Sequence, residues 1–190
     1  MSRIGKQPVP LADNVEFNIG ADNVVTVKGE KGSGSLRIHP DISVKTEDGE
    51  VAKKITEVEA YNGVVDKACH ASKGITERTE VMFGPPGYWY ISLIYGIYDM
   101  LNIVTGPGKH PSAVLIRGVE EMDGPGILTR DLEIRREDFK NKKITPKNGL
   151  WIEDRGVEVE RSNIYTGKRV GVDYAEEWAH KRWRFKINGV

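Results

Sequence analysis

The sequence predicts an α+β fold, a mostly antiparallel curved sheet with a few short helices, and three observations carry that prediction. Period-two runs separated by Gly, Asn and Asp fill the first third of the chain. Two aromatic and β-branched runs flank a glycine near its middle. Helical signals are confined to a short stretch after Gly124-Pro125 and another near the C-terminus. In order, the strands read VEFNI (15–19), NVVTVKG (23–29), GSLRI (34–38), ISVKTE (42–47) and VAKKITEVEAY (51–61). Asp48-Gly49 between the last two is a hairpin signal, because both residues tolerate the positive φ of a type I′ turn. Residues 62–87, rich in Gly, Lys, Thr and Pro, read as a long ordered loop, and loops of that length usually serve function. Residues 88–105 read as a hairpin turning near Gly96, SAVLIRGVE (112–120) as a strand, GPGILTRDLEI (124–134) as a turn opening a short helix, and GLWIEDRG (149–156) as a strand with a turn. YAEEWAHKRWRFKI (174–187) combines a short amphipathic helix with a basic-aromatic strand.

At 190 residues, with 38% hydrophobic and 29% charged side chains, the chain is one domain or one domain with an appendage. Its 28 Lys and Arg balance 28 Asp and Glu, so no strong net field pulls it toward nucleic acid. The balance is uneven: residues 1–50 hold 6 basic and 8 acidic side chains, and the remainder 22 and 20. A single cysteine, Cys69, forms no internal disulfide. No apolar run approaches the roughly 20 residues that span a bilayer, and the polar, proline-bearing start lacks a signal-peptide pattern. A cytoplasmic protein without a membrane partner is expected. Cys69 and His70 are adjacent and have no CxxC or HxxxH partner, so no metal site and no cofactor is expected.

Strand alternation sets Ile55, Glu57, Glu59 and Tyr61 on one face of ITEVEAY and Thr56, Val58 and Ala60 on the other. The second face is apolar enough for the core, so Glu59 and Tyr61 project together into a cleft; the plainer reading is that the two glutamates line a solvated face. Tyr95-Gly96-Ile97-Tyr98 puts large apolar groups at a hairpin tip, where small polar residues are usual. Arg117, ending an apolar strand, either meets solvent or faces a site. Lys181, Arg182, Arg184 and Lys186 interleave with Trp183 and Phe185 as a basic stripe suited to phosphates or simply to solvent.

Two resemblances add to this. MSRIGKQPVP and TVKGEKG within the first 50 residues resemble the opening of bacterial ribosomal protein uL6. From about Ile55 the chain resembles the alkyladenine (3-methyladenine) DNA glycosylases, through ITEVEAYNG, ACHASKG, VMFGPPG, LIYGIYDMLNIVT, AVLIRGVE, GPG, LWIEDRG and VGVDYAEEWAHKRWRF. The chain therefore reads as a chimera: a uL6-like β segment over 1–50, replacing the family's usual N-terminus, and a glycosylase-like domain over 51–190. The second resemblance implies that Glu59 is the catalytic base that deprotonates a water, with Arg117 facing the site to hold that water and a phosphate. It makes Tyr61 a ring stacked on a flipped purine, His70 a contact of that base or of the nearby sugar-phosphate, and Asn102 a screen against guanine's amine. Tyr95 becomes the wedge in the duplex, with Ile97 and Tyr98 in the minor groove.

Ser92 stands where that family usually has a second aromatic sandwiching the base, a stacking contact worth about 1–3 kcal/mol per base. Residues 76–80 (TERTE) and Ile127 replace more basic positions, which lowers phosphate affinity. The expected function is a monofunctional glycosylase of base-excision repair that hydrolyses the N-glycosidic bond of alkylated or deaminated purines and leaves an abasic site. Its partner is double-stranded DNA carrying a damaged purine, and the protein is expected as a cytoplasmic monomer, nucleoid-associated when bound. The competing readings are a uL6-type ribosomal protein binding ribosomal RNA, and an inactive chimera.

Overall fold

A computed structural model describes residues 11–12, 14–20, 24–39 and 51–189. The chain divides into two units, Met1–Ala52 and Lys53–Val190. In the first, β1 (Glu16–Ile19), β2 (Val24–Gly29) and β3 (Gly32–Arg37) form an antiparallel meander, matching the first three runs of the sequence. ISVKTE and the Asp48-Gly49 turn lie outside the described residues.

The second unit is built on a seven-stranded antiparallel sheet: β4 (Ile55–Asn62), β5 (Trp89–Ile94), β6 (Tyr98–Val104), β7 (Ser112–Val119), β8 (Met122–Asp123), β9 (Ile164–Gly167) and β10 (Arg184–Ile187). Their order is β5-β6-β7-β4-β10-β9, with β8 pairing β7. β4 thus lies between β7 and β10, and both of its edges are paired within this unit.

Alternation along β5, β6 and β7 sends side chains to two cores. On one face Trp89, Ile91, Leu101 and Ile116 pack with Leu128 of helix α1 (Pro125–Asp131) and with Ile134 just beyond it. On the other face Tyr90, Val104 and Ala113 pack with Cys69, Ala71 and Met82. Those last three come from residues 62–87, which hold three 3-10 turns, Gly63–Val65, His70–Lys73 and Glu80–Phe83. A second helix, α2 (Arg136–Phe139), is a single turn.

Four expectations need correction. The strand of VAKKITEVEAY begins at Ile55, with 51–54 outside it. Residues 151–160 contain no strand, and Leu150 makes only an isolated bridge to Thr145. The amphipathic stretch near the C-terminus is 3-10 rather than α and is kinked at Ala175-Glu176. The shared face of Ile55, Glu57, Glu59 and Tyr61 is broken, because β4 shifts register against β7 between Ile55 and Val58, and Ile55 packs with the Trp89 core. A bulge of this kind re-aims the side chains on either side of it.

Candidate active site

Three neighbouring strands bring the candidate residues into one row, since Asn102 of β6 pairs Leu115 of β7 and Leu115 pairs Glu59 of β4. Tyr90 extends the row through Asn102, and Arg184 extends it beyond Glu59. On this face a cavity of about 90 Å³ is lined by Tyr61, His70, Tyr90, Ser92, Asn102 and Tyr174, among others. A larger depression of about 490 Å³ lies on the β1–β3 sheet. Its lining pairs Lys28 with Glu16 and otherwise offers only small polar and apolar groups, so the chemistry belongs to the smaller cavity.

Glu59 is 0% exposed and stands behind the cavity wall rather than in it, a correction to the expectation that it projects into a cleft with Tyr61. Its Oε2 accepts the Tyr61 hydroxyl proton at 2.8 Å and its Oε1 accepts the Val170 amide at 2.8 Å. A carboxylate has about four lone-pair directions, so two remain for a water. Burial, with the Glu59 charge adding to it, pushes the Tyr61 phenol well above its usual range, so this hydroxyl stays a donor. The Arg169 guanidinium sits 4.8 Å from the Tyr61 ring centre and 5.1 Å from that of Trp183.

The second glutamate of the strand is buried as well, so neither lines a solvated face. Glu57 Oε1 accepts Arg117 Nε at 2.9 Å and Arg184 Nε at 2.6 Å, and Lys186 Nζ lies 3.7 Å from its other oxygen. Arg117 comes within 3.6 Å of Glu59 Oε1 but spends its hydrogen bond on Glu57, so it spans the two carboxylates. Arg184 and Lys186 of the basic stripe are engaged inside the fold, Lys186 also with Asp123 at 2.9 Å. Arg182 donates to the Thr166 carbonyl. The stripe expected for phosphates is therefore largely committed to the protein's own acceptors.

His70 lies over the cavity at the start of a 3-10 turn. Arg78 donates to its Nε2 at 3.1 Å, which leaves Nδ1 to carry the ring proton and to donate to the Tyr90 hydroxyl at 2.8 Å. Burial, then the Arg78 and Lys73 charges, lower its pKa to about 4, so the ring is neutral at ordinary pH. Arg78 in TERTE is thus a support for His70. Asn102 donates its amide to the Met100 carbonyl at 3.0 Å, and Ser92 is buried on the cavity wall with no aromatic in its place.

The hairpin tip projects as expected, with Tyr95 86% exposed and Ile97 73% exposed. Tyr95 (φ 55°) and Gly96 (φ 70°) both hold positive φ, and the turn is closed by the Ile97 amide on the Ile94 carbonyl at 3.2 Å. A tyrosine in that backbone region is uncommon, so the turn presents the ring at a steric cost. Tyr98 opens β6 instead of belonging to the tip, and its ring rests against Gly126 of α1, where even a Cβ would fall 2.8 Å from Cδ1.

Three participants escaped the sequence reading. Glu57 was legible as a strand glutamate but not as the anchor of Arg117. Val170 acts through its backbone amide, which has no side-chain signature. Arg169 is buried and bidentate on Asp66, 103 positions away, and also donates to the Ala60 and Trp178 carbonyls.

With the carboxylates, the cavity and the projecting hairpin placed, the chain is comparable with known proteins. The methylpurine-DNA glycosylase family model matches residues 41–123 and 120–190, so the match begins ten residues before the seam read from the sequence. A protein of Anaeromyxobacter dehalogenans named as a candidate 3-methyladenine DNA glycosylase is 43% identical over 163 residues, covering 82% of this chain and 75% of its own length. Like-named proteins of Methanocella arvoryzae and Legionella pneumophila are 42% identical over 157 residues and 43% over 141, covering 72% and 70% of this chain and 76% and 75% of their own. The extent of these matches, both along this chain and along its relatives, means that the chain belongs to the methylpurine-DNA glycosylase family and is a DNA N-glycosylase of base-excision repair.

Proposed function

We propose that the chain excises alkylated or deaminated purines, of the 3-methyladenine and hypoxanthine type, from double-stranded DNA by a single displacement with water. The observation that carries this reading is the Glu59 carboxylate, wholly buried beside the cavity and oriented by two donors on different elements, Tyr61 of β4 and the Val170 amide. A carboxylate so fixed can take a proton from water as the oxygen bonds to C1′ and the C1′–N bond breaks with its electron pair leaving on the purine. Its negative charge also stabilises the cationic character of the sugar. Arg117, anchored on Glu57 and 3.6 Å from Glu59 Oε1, holds that water and a phosphate beside the carboxylate. A base already methylated and cationic leaves neutral, so the enzyme need not protonate it; a hypoxanthine needs a proton from solvent.

Tyr61 offers the cavity the ring face not covered by Arg169, His70 and Asn102 border the base, and Tyr95 enters the stack as the base leaves, with Ile97 and Tyr98 in the minor groove. Intercalating side chains of this kind offset unstacking worth a few kcal/mol per step. The reading further takes the protein as a cytoplasmic monomer, nucleoid-associated on DNA, and residues 1–50 as a uL6-like lead on a glycosylase domain over 51–190.

Single-turnover release of hypoxanthine from a duplex, measured for the parent and for Glu59→Gln, tests it. Loss of a positioned general base lowers the rate by about 100- to 10,000-fold. A Glu59→Gln protein that keeps the parent rate, with its melting temperature unchanged, removes Glu59 from the chemistry. A parent that binds ribosomal RNA and releases no base removes the glycosylase reading altogether.

A further inference from the structure

The cavity contains an imbalance: aromatic support on the Tyr61 side, and a serine, Ser92, buried on the wall of β5. Tyr90 does not make up the difference, because it is buried, holds His70 through its hydroxyl and meets that imidazole edge-on, with the rings 82° apart. The remaining aromatic ring on the cavity is Tyr174, which the catalytic account does not use.

Tyr174 is 66% exposed, yet the segment that carries it is held firmly. Val172 before it and Ala175 after it are buried, and the Ala175 amide donates to the Val172 carbonyl at 2.9 Å. Val170, at the start of the same segment, donates its amide to Glu59. Gly171 takes a positive φ of 71°, and Glu176 holds φ 50° and ψ −128°, a conformation that a residue with a Cβ adopts only when its surroundings impose it. The Lys67 ammonium pairs with the Glu176 carboxylate at that kink. Desolvation also pushes the Tyr174 phenol above its usual value, although the residue as a whole is mostly exposed. This strap thus sets an exposed aromatic residue on the cavity lining and, in the same few residues, donates the Val170 amide to the Glu59 carboxylate.

We propose that Tyr174 is a specificity-determining residue that stacks on the extruded purine opposite Tyr61 and takes over the aromatic contact that Ser92 does not provide. The proposal rests on the glycosylase reading above. Because one strap carries both Tyr174 and the Val170 amide, a base seated on the ring is held in register with Glu59. An aromatic face serves neutral and cationic purines alike, and it adds to a cationic one the attraction of the ring for charge.

The test compares the parent with Tyr174→Phe, Tyr174→Ala, Ser92→Tyr and the double variant Ser92→Tyr/Tyr174→Ala. Two quantities are read: single-turnover release of hypoxanthine, and the preference for lesion over undamaged duplex in binding. Tyr174→Phe keeps the ring and the parent preference. Tyr174→Ala loses roughly tenfold or more of it, in keeping with one base stack, and the double variant recovers most of the loss. With 2-aminopurine at the target position, emission from the bound duplex is higher for Tyr174→Ala than for Tyr174→Phe, since the ring no longer covers the base. An unchanged Tyr174→Ala, or a Tyr174→Phe that falls as far as the alanine variant, overturns the stacking role while the parent still releases base. A parent that releases none overturns the glycosylase reading, and this inference falls with it. Melting temperatures of the variants guard against a folding effect, which the exposure of Tyr174 makes small.

Discussion

His70 shows how one side chain's surroundings decide what it offers a ligand. Arg78 on Nε2 and the Tyr90 hydroxyl on Nδ1 leave a neutral ring of a single tautomer, and the pKa of about 4 keeps it so through the physiological range. A motif reading gives the residue but not the tautomer, which depends on Arg78, eight positions on, and Tyr90, twenty positions on. The depressed value has a consequence for stability. An unfolded histidine titrates near 6.5, so above that pH neither state holds the proton and the shift costs nothing. As pH falls from 6.5 toward about 4, the unfolded chain takes up a proton that the folded one resists, and stability is lost across that window. Melting temperature against pH for the parent and for His70→Gln reads this directly: the parent declines more steeply between pH 6.5 and 4 than the variant. Equal declines assign the acid sensitivity to other groups. Glu59 is the complementary case. Alternation along ITEVEAY put it beside Tyr61, whereas its full burial comes with elements far along the chain, such as the Val170 segment.

The elements differ in how much of themselves they displayed. β4 to β7 are long, β-branched or aromatic, and closed by clear turns, so a local reading finds them. β9 is only four residues, Ile164–Gly167, and exists because β10 offers it an edge, a non-local cause that no window reveals. LWIEDRG failed in the opposite sense: its apolar residues suggest a strand, but Leu150 instead gives its carbonyl to the Trp89 indole at 3.1 Å and packs on that core. The strap from β9 to the kinked 3-10 segment is likewise held by a long-range device, the Arg169–Asp66 pair, with both side chains wholly buried. Asp66 also accepts the Asn62 and Ala68 amides, at 3.1 and 3.0 Å, so the pair ties the end of β4 and the start of the following loop to the strap. Breaking a buried pair by removing one partner costs about 3–5 kcal/mol, because the other charge is left uncompensated. Arg169→Ala therefore lowers the unfolding free energy by about that amount in urea titration, whereas Lys28→Ala, at an exposed pair with Glu16, changes it by under about 1 kcal/mol. Similar losses for the two would show that the buried pair is not what holds the strap.

At the scale of the molecule the question is which part of the chain the site needs. Composition gives a neutral chain whose first 50 residues are slightly acidic, and the resemblance of that stretch to another family raises the concern of which strands pair with ITEVEAY. The sheet answers that concern, because β4 pairs β7 on one side and β10 on the other, and both belong to Lys53–Val190. The donors to Glu59 and the cations around Glu57 come from that unit too, as do all the side chains lining the cavity. The meander of β1, β2 and β3 contributes no strand to this sheet among the described residues. Nothing in the chemistry proposed for Glu59 then calls on the lead, and a chain beginning at Val51 should release hypoxanthine at the parent's single-turnover rate. The same deletion removes 6 basic and 8 acidic side chains, leaving the remainder slightly basic, with 22 and 20. DNA affinity should therefore rise slightly at low salt, with little change in the slope of log affinity against log salt, since that slope counts phosphates neutralised at the interface rather than net charge. A shortened chain that folds, by its melting transition, yet loses base release would place part of the working site in residues 1–50. One whose salt slope falls by about one or more would place phosphate contacts there.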